Sequence, residues 1–436
     1  MIKFLLEQSN ELITTHSGLS LLGLLISRTD IVKRLNAVKL TKTINPDISN
    51  SDVVISYLGL LSQGKVNFDE IENFCKDEFF AKSLSISNVP SAPTIRQRFE
   101  EAEDKFNKII LEESAKLLST TKVAITPSIR ELVALDMDVS PFDNSNTKKE
   151  GVSRTYKGFD GYAPNFSYLG KEGFCIDTQL REGKDHCQKG TPAYLSESIN
   201  FAQIVTDKTL LLRADSGYDS IDNIKICQDN DTEFIIKRNL RHESKEDWLK
   251  LAIEHGEGTQ EREGKTVYHG AIKVNRGLKE PLRIVFEVTE RTITPEGQLM
   301  LTPEIEVDTY WTSLDDDPKT IIWLYNQHGT SEQFHSEIKS DMNLERLPAG
   351  KFMVNSLILV LGVFAYNMIH IIGQESIRKP DNPFDNRAKR RRARTVIQNI
   401  ITLASKMVNS ARRYKLRFSR YCPFFNTFKR IYSAFV

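Results

Sequence analysis

The sequence predicts an α/β protein: a mixed sheet with an inserted β-rich subdomain, flanked by helical N- and C-terminal regions. Three observations lead there. Residues 1 to about 125 carry apolar side chains at helical spacing, as in SDVVISYLGLLSQG and IILEESAKLLSTT, with few strand signals. Near Val123 strand-like runs begin, bounded by Gly or Pro, and then alternate with helical stretches, the order of a mixed sheet. Residues 240 to about 310 interrupt that order with charged, glycine-rich sequence and further strand-like pieces (TVYHGAIKV, LRIVFEVTE, EIEVDTYWTS). The expected division is 1–125 helical, 126–345 the sheet with its insertion, and 346–436 helical and basic.

In the first region, NVPSAPTIRQRFEEAEDKF reads as a turn opening a helix, with Pro93 in the turn and Ser91 or Thr94 as cap. Arg96 and Arg98 near its start suit the second helix of a helix-turn-helix DNA reader, and equally an ordinary amphipathic surface helix. The strands follow: RELVALDMDVS, then GFDGYAPNFSYLG, then EGFCIDTQLREG. A helix over SESINFAQIVTD leads to the strand TLLLRA, and a second over SIDNIKICQDN leads to TEFIIKR. After the insertion, DDDPKTIIWLYNQ begins a helix, marked by an Asp cap and Pro318 at the first helical position. Residues 352–373 have no formal charge and the length of a membrane span. Asn355, Ser356, Asn367 and His370 are badly placed for lipid, so a buried helix with no membrane contact is expected.

The net charge of +1 conceals an asymmetry. From Asn386 to Val436 there are 14 Lys/Arg and no Asp or Glu, leaving 45 basic against 58 acidic side chains in the rest. So one-sided a tail implies a polyanionic partner. It contains KRRRAR, with Arg390, Arg391 and Arg392, and ARRYKLRFSRY, where cations alternate with aromatics as in nucleic-acid contacts. Its apolar positions (VIQNIITLASKMV) predict helices. The five cysteines include no CxxC pair, which argues against zinc and a disulfide framework and fits a reducing, cytoplasmic setting. Glu7 interrupts any apolar signal stretch at the N-terminus.

The chemistry is carried by acids. In ELVALDMDVS, Val133, Leu135, Met137 and Val139 share one strand face, and Ala134, Asp136 and Asp138 the other. The two acids lie roughly 7 Å apart along the strand. Asp215 ends a strand that is apolar through Leu212, at the position where open α/β sheets place their sites; helix capping is the other role open to it. In YNQHGTSEQFHSEIKSD, Tyr325, His328, Glu332 and Lys339 are spaced by 3, 4 and 7 residues. On one helix they fall within an arc of ~60°, with Glu337 on another face. A break at Gly329–Ser331, with Thr330 capping, would spread the stripe over two helices. Acids on a strand, a strand end and a helix, without a Cys or His cluster, suit a hard divalent cation.

On these blocks (LDMDVS, YKGFDGYAP, RADSGYDS and YNQHGTSEQFHSEIKSD), the chain resembles bacterial insertion-sequence DDE transposases of the insertion-sequence-four superfamily, thirteen-eighty family. The resemblance covers about residues 90 to 420. It implies a ribonuclease-H-like catalytic core, a DNA-binding helical N-terminal region, and cut-and-paste transposition with a hairpin intermediate. It implies Mg²⁺, with Mn²⁺ able to substitute, terminal inverted repeats and target DNA as partners, and a homodimer on paired ends in the nucleoid. Asp215 and Glu332 take the places of the second and third catalytic, metal-binding acids. Asp138, followed by Val139 and Ser140, fits the first better than Asp136, which stays open. Tyr325 and Lys339 match phosphate contacts, while His328 stands where the signature Y-x2-R-x3-E-x6-K has Arg. Trp311 is read as a core residue, with base stacking the alternative. Two other functions stay in view: a structure-specific nuclease on the same fold, and a catalytically silent DNA-binding derivative.

Overall fold

Nine strands hydrogen-bond into one sheet. They are β1 (Val133–Val139), β2 (Asn165–Leu169), β3 (Phe174–Gln179), β4 (Leu210–Ala214), β5 (Glu233–Lys237), β6 (Gly256–Arg262), β7 (Lys265–Val274), β8 (Leu282–Ile293) and β9 (Leu299–Thr312). Their order across the sheet is β6-β7-β8-β9-β5-β4-β1-β2-β3. β1, β4 and β5 run parallel, and the other pairs are antiparallel. The computed structural model describes residues 2–40, 46–278, 281–381, 383, 388, 390–411 and 413–436. Arg387, Lys389 and Arg412 of the basic tail lie outside the described residues. The chain divides into two compact units, one of Ala124–Pro141 with Ala163–Phe334, the other of the remaining residues.

In the sheet unit, β4 is buried along its whole length, as its leucine run requires of a central strand. Helices α1 (Thr191–Val205) and α2 (Ile221–Asp229) provide the crossovers that parallel strands need. The insertion begins with α3 (Lys245–His255), which buries Trp248 and Ala252. It does not fold apart. β9 pairs with β5 through Tyr310↔Lys237, Trp311↔Ile236 and Thr312↔Ile235, so its strands extend the main sheet. The reason is that β5 would otherwise present an unpaired edge of N–H and C=O groups. Helix α4 (Pro318–Asn326) starts where Asp317 accepts a hydrogen bond from the Lys319 backbone N–H at 3.0 Å. Its Ile321, Ile322 and Leu324 pack with Leu211, Ile235, Val285 and Tyr310. Each such side chain contributes about 1.5–3 kcal/mol on burial, which seats α4 firmly in this unit.

The other unit is mainly helical, around helices Asn50–Leu61, Asn107–Thr120 and Phe352–Ile377. The last is the only helix among the described residues long and apolar enough to cross a membrane, and it is largely buried in protein. Its polar residues have partners: Asn355 donates to the Ala349 carbonyl at 2.8 Å, Asn367 to Ser114 Oγ at 3.0 Å, and His370 Nε2 lies 3.3 Å from Glu337. Arg98 is buried and donates to Asn50 Oδ1 at 2.7 Å, while Arg96 pairs with Asp69 at 2.8 Å. The pair expected at the start of a DNA-reading helix is thus engaged within the unit. Residues Phe142–Asp143, Ser153–Arg154 and Asp160–Tyr162 form a small antiparallel sheet of their own.

The C-terminal region departs from the all-helical expectation. After the helical stretch Ala393–Ile401, Ser405–Ser410 and Arg413–Arg417 form antiparallel strands, joined by Leu12–Thr14 on the far side. RYKLR alternates polar with bulkier residues, which is a strand period. Ala411 in the connecting turn takes φ +52°, a left-handed conformation that ends regular structure.

Candidate active site

The site is built from the register of two parallel strands. Asp136 on β1 is paired with Arg213 on β4, and Met137 with Ala214. Alternation then puts Asp136 and Arg213 on one face, and one step further, at the strand ends, Asp138 and Asp215 on the same face. Neighbouring strands lie roughly 4.8 Å apart, so the two acids meet side by side.

The first rung is closed. Arg213 Nε and Nη2 each donate to an Asp136 carboxylate oxygen at 2.7 Å, in a bidentate fork with both side chains buried. Nη1 donates to the Leu324 carbonyl at 2.8 Å, tying the sheet to the end of α4. His328, in the 3-10 turn Gln327–Thr330, brings Nδ1 to 3.2 Å from Asp136 Oδ1, an ion-pair distance at an angle too poor for a good hydrogen bond. Burial opposes ionisation of Asp136, but Arg213 and His328 prevail and hold its carboxyl below the usual range. Burial likewise opposes a charged His328, and Asp136 with Asp138 outweighs it, raising the imidazole. His328 is therefore held toward its cationic form.

The second rung holds two acids. Asp138 and Asp215 are partly buried. Burial, followed by the charge of Asp138, raises the Asp215 carboxyl. Asp215 also caps the turn Ser216–Tyr218, accepting from the Gly217 N–H at 2.9 Å, so capping and site position coexist. The phenols of Tyr218 and Tyr325 are pushed up by burial and then by these two acids, which places both hydroxyl-bearing rings in their field. Tyr325, at the end of α4, packs on Tyr310 with ring centroids 4.8 Å apart. Ser331 Oγ lies 3.5 Å from Asp138 Oδ2, at the outer limit of a hydrogen bond.

Glu332 is exposed in the first turn of α5 (Ser331–Ser336). Among the described residues no three His, Cys, Asp or Glu side chains are gathered closely enough to hold a metal ion. Two of the three expected ligands are thus together, and the third is one residue beyond the serine that approaches Asp138. The donor chemistry fits a hard divalent cation: positive charge relieves a carboxylate that burial and a neighbouring acid have raised. The helical stripe expected for Tyr325, His328, Glu332 and Lys339 is not one helix. It runs over α4, a 3-10 turn, α5 and a π turn at Glu337–Asp341.

In the other unit, the Lys339 ammonium lies 5.5 Å from the Phe142 ring centroid. Arg390 is ion-paired with Glu337, and Arg392 with Asp341 at 2.6 Å, while Arg391 is buried. In this structure these arginines fasten the basic segment to the Glu337–Asp341 turn. Trp311 is buried and donates from Nε1 to Asp219 Oδ1 at 2.8 Å, the core role expected of it. Sequence reasoning passed over Arg213, although a lone cation inside a buried LLLRA strand signals a buried carboxylate partner.

A family profile described as transposase DDE domain, group 1, matches residues 4–435. A cryo-EM structure of the piggyBac transposase synaptic complex with hairpin DNA is similar over 90% of this chain and 82% of that one, at 14% identity and a TM-score of 0.42. None of the curated proteins compared matches the chain.

Proposed function

The chain belongs to the transposase DDE domain family, and from that premise we propose that it moves its own insertion sequence by cut-and-paste transposition. The observation that carries the site assignment is the Asp138–Asp215 rung: two like charges held together at the ends of parallel strands. Asp138 and Asp215 hold divalent metal, and Glu332 completes the set. Asp136 is the salt-bridge partner that fixes the strands. Bound Mg²⁺, or Mn²⁺ in its place, supplies Lewis acidity for phosphodiester hydrolysis and transesterification. Tyr325 and Lys339 contact phosphates at the transferred end, and His328, held toward its charged form by Asp136, adds positive charge where relatives carry Arg. The substrates are terminal inverted repeats and target DNA. The ends are released through a hairpin, and two chains act together on paired ends. The four sequence blocks support membership of the thirteen-eighty group and a ribonuclease-H-like reading of the sheet.

The test is a duplex of one element end with its flank, incubated with purified protein and Mg²⁺ and run on a denaturing gel. The expected result is a nick at the end and a hairpin, both absent with Asp215→Asn. Binding without cleavage by the wild type, in Mg²⁺ and in Mn²⁺, would instead identify a silent DNA-binding derivative. Nicking without strand transfer would identify a nuclease.

A further inference from the structure

Beyond the Asp215 turn lies a cleft of about 350 Å³ that includes Asp219, Ser220, Arg238, Arg241, Arg276 and Trp311. From these residues we infer a second binding site, for a phosphodiester of the DNA backbone; the inference rests on the function proposed above. Arg238 is the fixed member. It is only 6% exposed, and its guanidinium carbon lies 4.6 Å from the Trp311 ring centroid. Nη1 donates to Thr309 Oγ1 at 3.3 Å and Nη2 to Glu243 at 2.6 Å, and Nε has no partner. Its guanidinium is thus fixed by Thr309 and Glu243 against the indole that lines the cleft. Arg276 lies 5.7 Å from the same centroid. Arg241 donates to the Asp219 carbonyl at 3.2 Å and keeps its side chain 63% exposed. The N-terminus of α2 opens at Ser220, adding backbone N–H groups of the kind that bind phosphate.

Three carboxylates also line the cleft, so the charge must be counted. Asp219 accepts from Trp311 Nε1 at 2.8 Å and from the Asn239 N–H at 2.9 Å, which occupies both its oxygens. Glu243 is held by Arg238 and by Trp248 Nε1 at 2.8 Å. Asp222 is exposed and lies 3.7 Å from Lys225. The acids are thus engaged internally, with Asp219 Oδ2 also 4.0 Å from Arg241 Nη2, while Arg241 and Arg276 remain exposed. Asp219 follows Asp215 by four residues, a span of at most ~14 Å of extended chain. Backbone phosphates rise about 3.4 Å per nucleotide. The held phosphodiester therefore lies within about four nucleotides of the scissile one.

Arg238→Ala would disturb its buried partners, so the test uses the exposed pair. Affinity of the full chain for a fluorescein-labelled element-end duplex is measured by anisotropy across a salt series, without divalent metal. Wild type, Arg241→Ala, Arg276→Ala and the double variant are compared, with Arg291→Ala as a control at a distant strand where Arg291 pairs with Glu306. Each cleft variant should weaken binding about tenfold and lower the slope of log affinity against log salt by ~0.9, and the double variant by ~1.8. The control should keep the wild-type slope, and so should Arg276→Lys. A double variant with the wild-type slope, or a control that loses as much, overturns the inference while wild-type nicking leaves the function standing. A wild type that neither binds nor nicks the element end overturns both.

Discussion

Two successive rungs of the same strand pair have opposite fates. Asp136 and Asp138 share β1 and its face, two residues apart. Asp136 meets Arg213 across the ladder and is closed by two hydrogen bonds of 2.7 Å; Asp138 meets Asp215, a like charge that raises Asp215. What separates the aspartate that builds the fold from the one proposed to hold metal is therefore the residue opposite. A buried ion pair broken by removing one partner is strongly destabilising, whereas removing one of two like charges relieves repulsion.

The comparison is sharpest where activity and stability part. Asp138→Asn or Asp215→Asn should lower strand cleavage about 10³-fold or more, since metal stabilisation of the reacting phosphate is worth several kcal/mol. Without metal, the melting temperature of either variant should rise or hold; a clear fall in calorimetry would place these acids in the scaffold. Asp136→Asn should do the reverse, costing ~3–5 kcal/mol in denaturant unfolding because Arg213 stays buried without its counter-charge.

The same rung sets a pH window. Asp136 has a depressed folded pKa against an ordinary 3.8, so its contribution is present above that value and is lost as pH falls through the folded one. His328 is raised above 6.5. Its contribution is full below 6.5 and is lost as pH rises through the higher, folded value. Stability should be greatest between these limits, and His328→Gln should remove the decline on the alkaline side, read from denaturant midpoints across pH. The smallest effect expected is that of Tyr325→Phe, which removes one hydroxyl proposed to meet phosphate: about fivefold weaker binding of the element end, with the melting temperature unchanged.

Much of this was legible in the sequence. Alternation gave β1 and the shared face of its two acids, the leucine run gave the central strand, and Asp317–Pro318 gave the start of α4. The pairing of Asp136 with Arg213 was not legible, because it depends on a register between residues 77 positions apart, with Arg213 appearing as one cation in an apolar run. The arc from Tyr325 to Lys339 assumes one continuous helix, and the chain leaves the α-helical pitch twice within it, the first time at the break that Gly329–Ser331 signals. In the tail, charge counting showed how many arginines there are but not that Arg390 and Arg392 meet Glu337 and Asp341. Those partners lie more than 50 residues earlier, beyond the reach of local pattern.

The rung of Asp138 with Asp215, and not that of Asp136 with Arg213, is the proposed metal site. This assignment is tested most directly by Mn²⁺ titration calorimetry on the full chain with element-end DNA, comparing wild type, Asp138→Asn and Asp136→Asn at a temperature where all three are folded. The account predicts that Asp138→Asn loses Mn²⁺ binding while Asp136→Asn keeps it. Retained binding in Asp138→Asn, with binding lost in a folded Asp136→Asn, would contradict it.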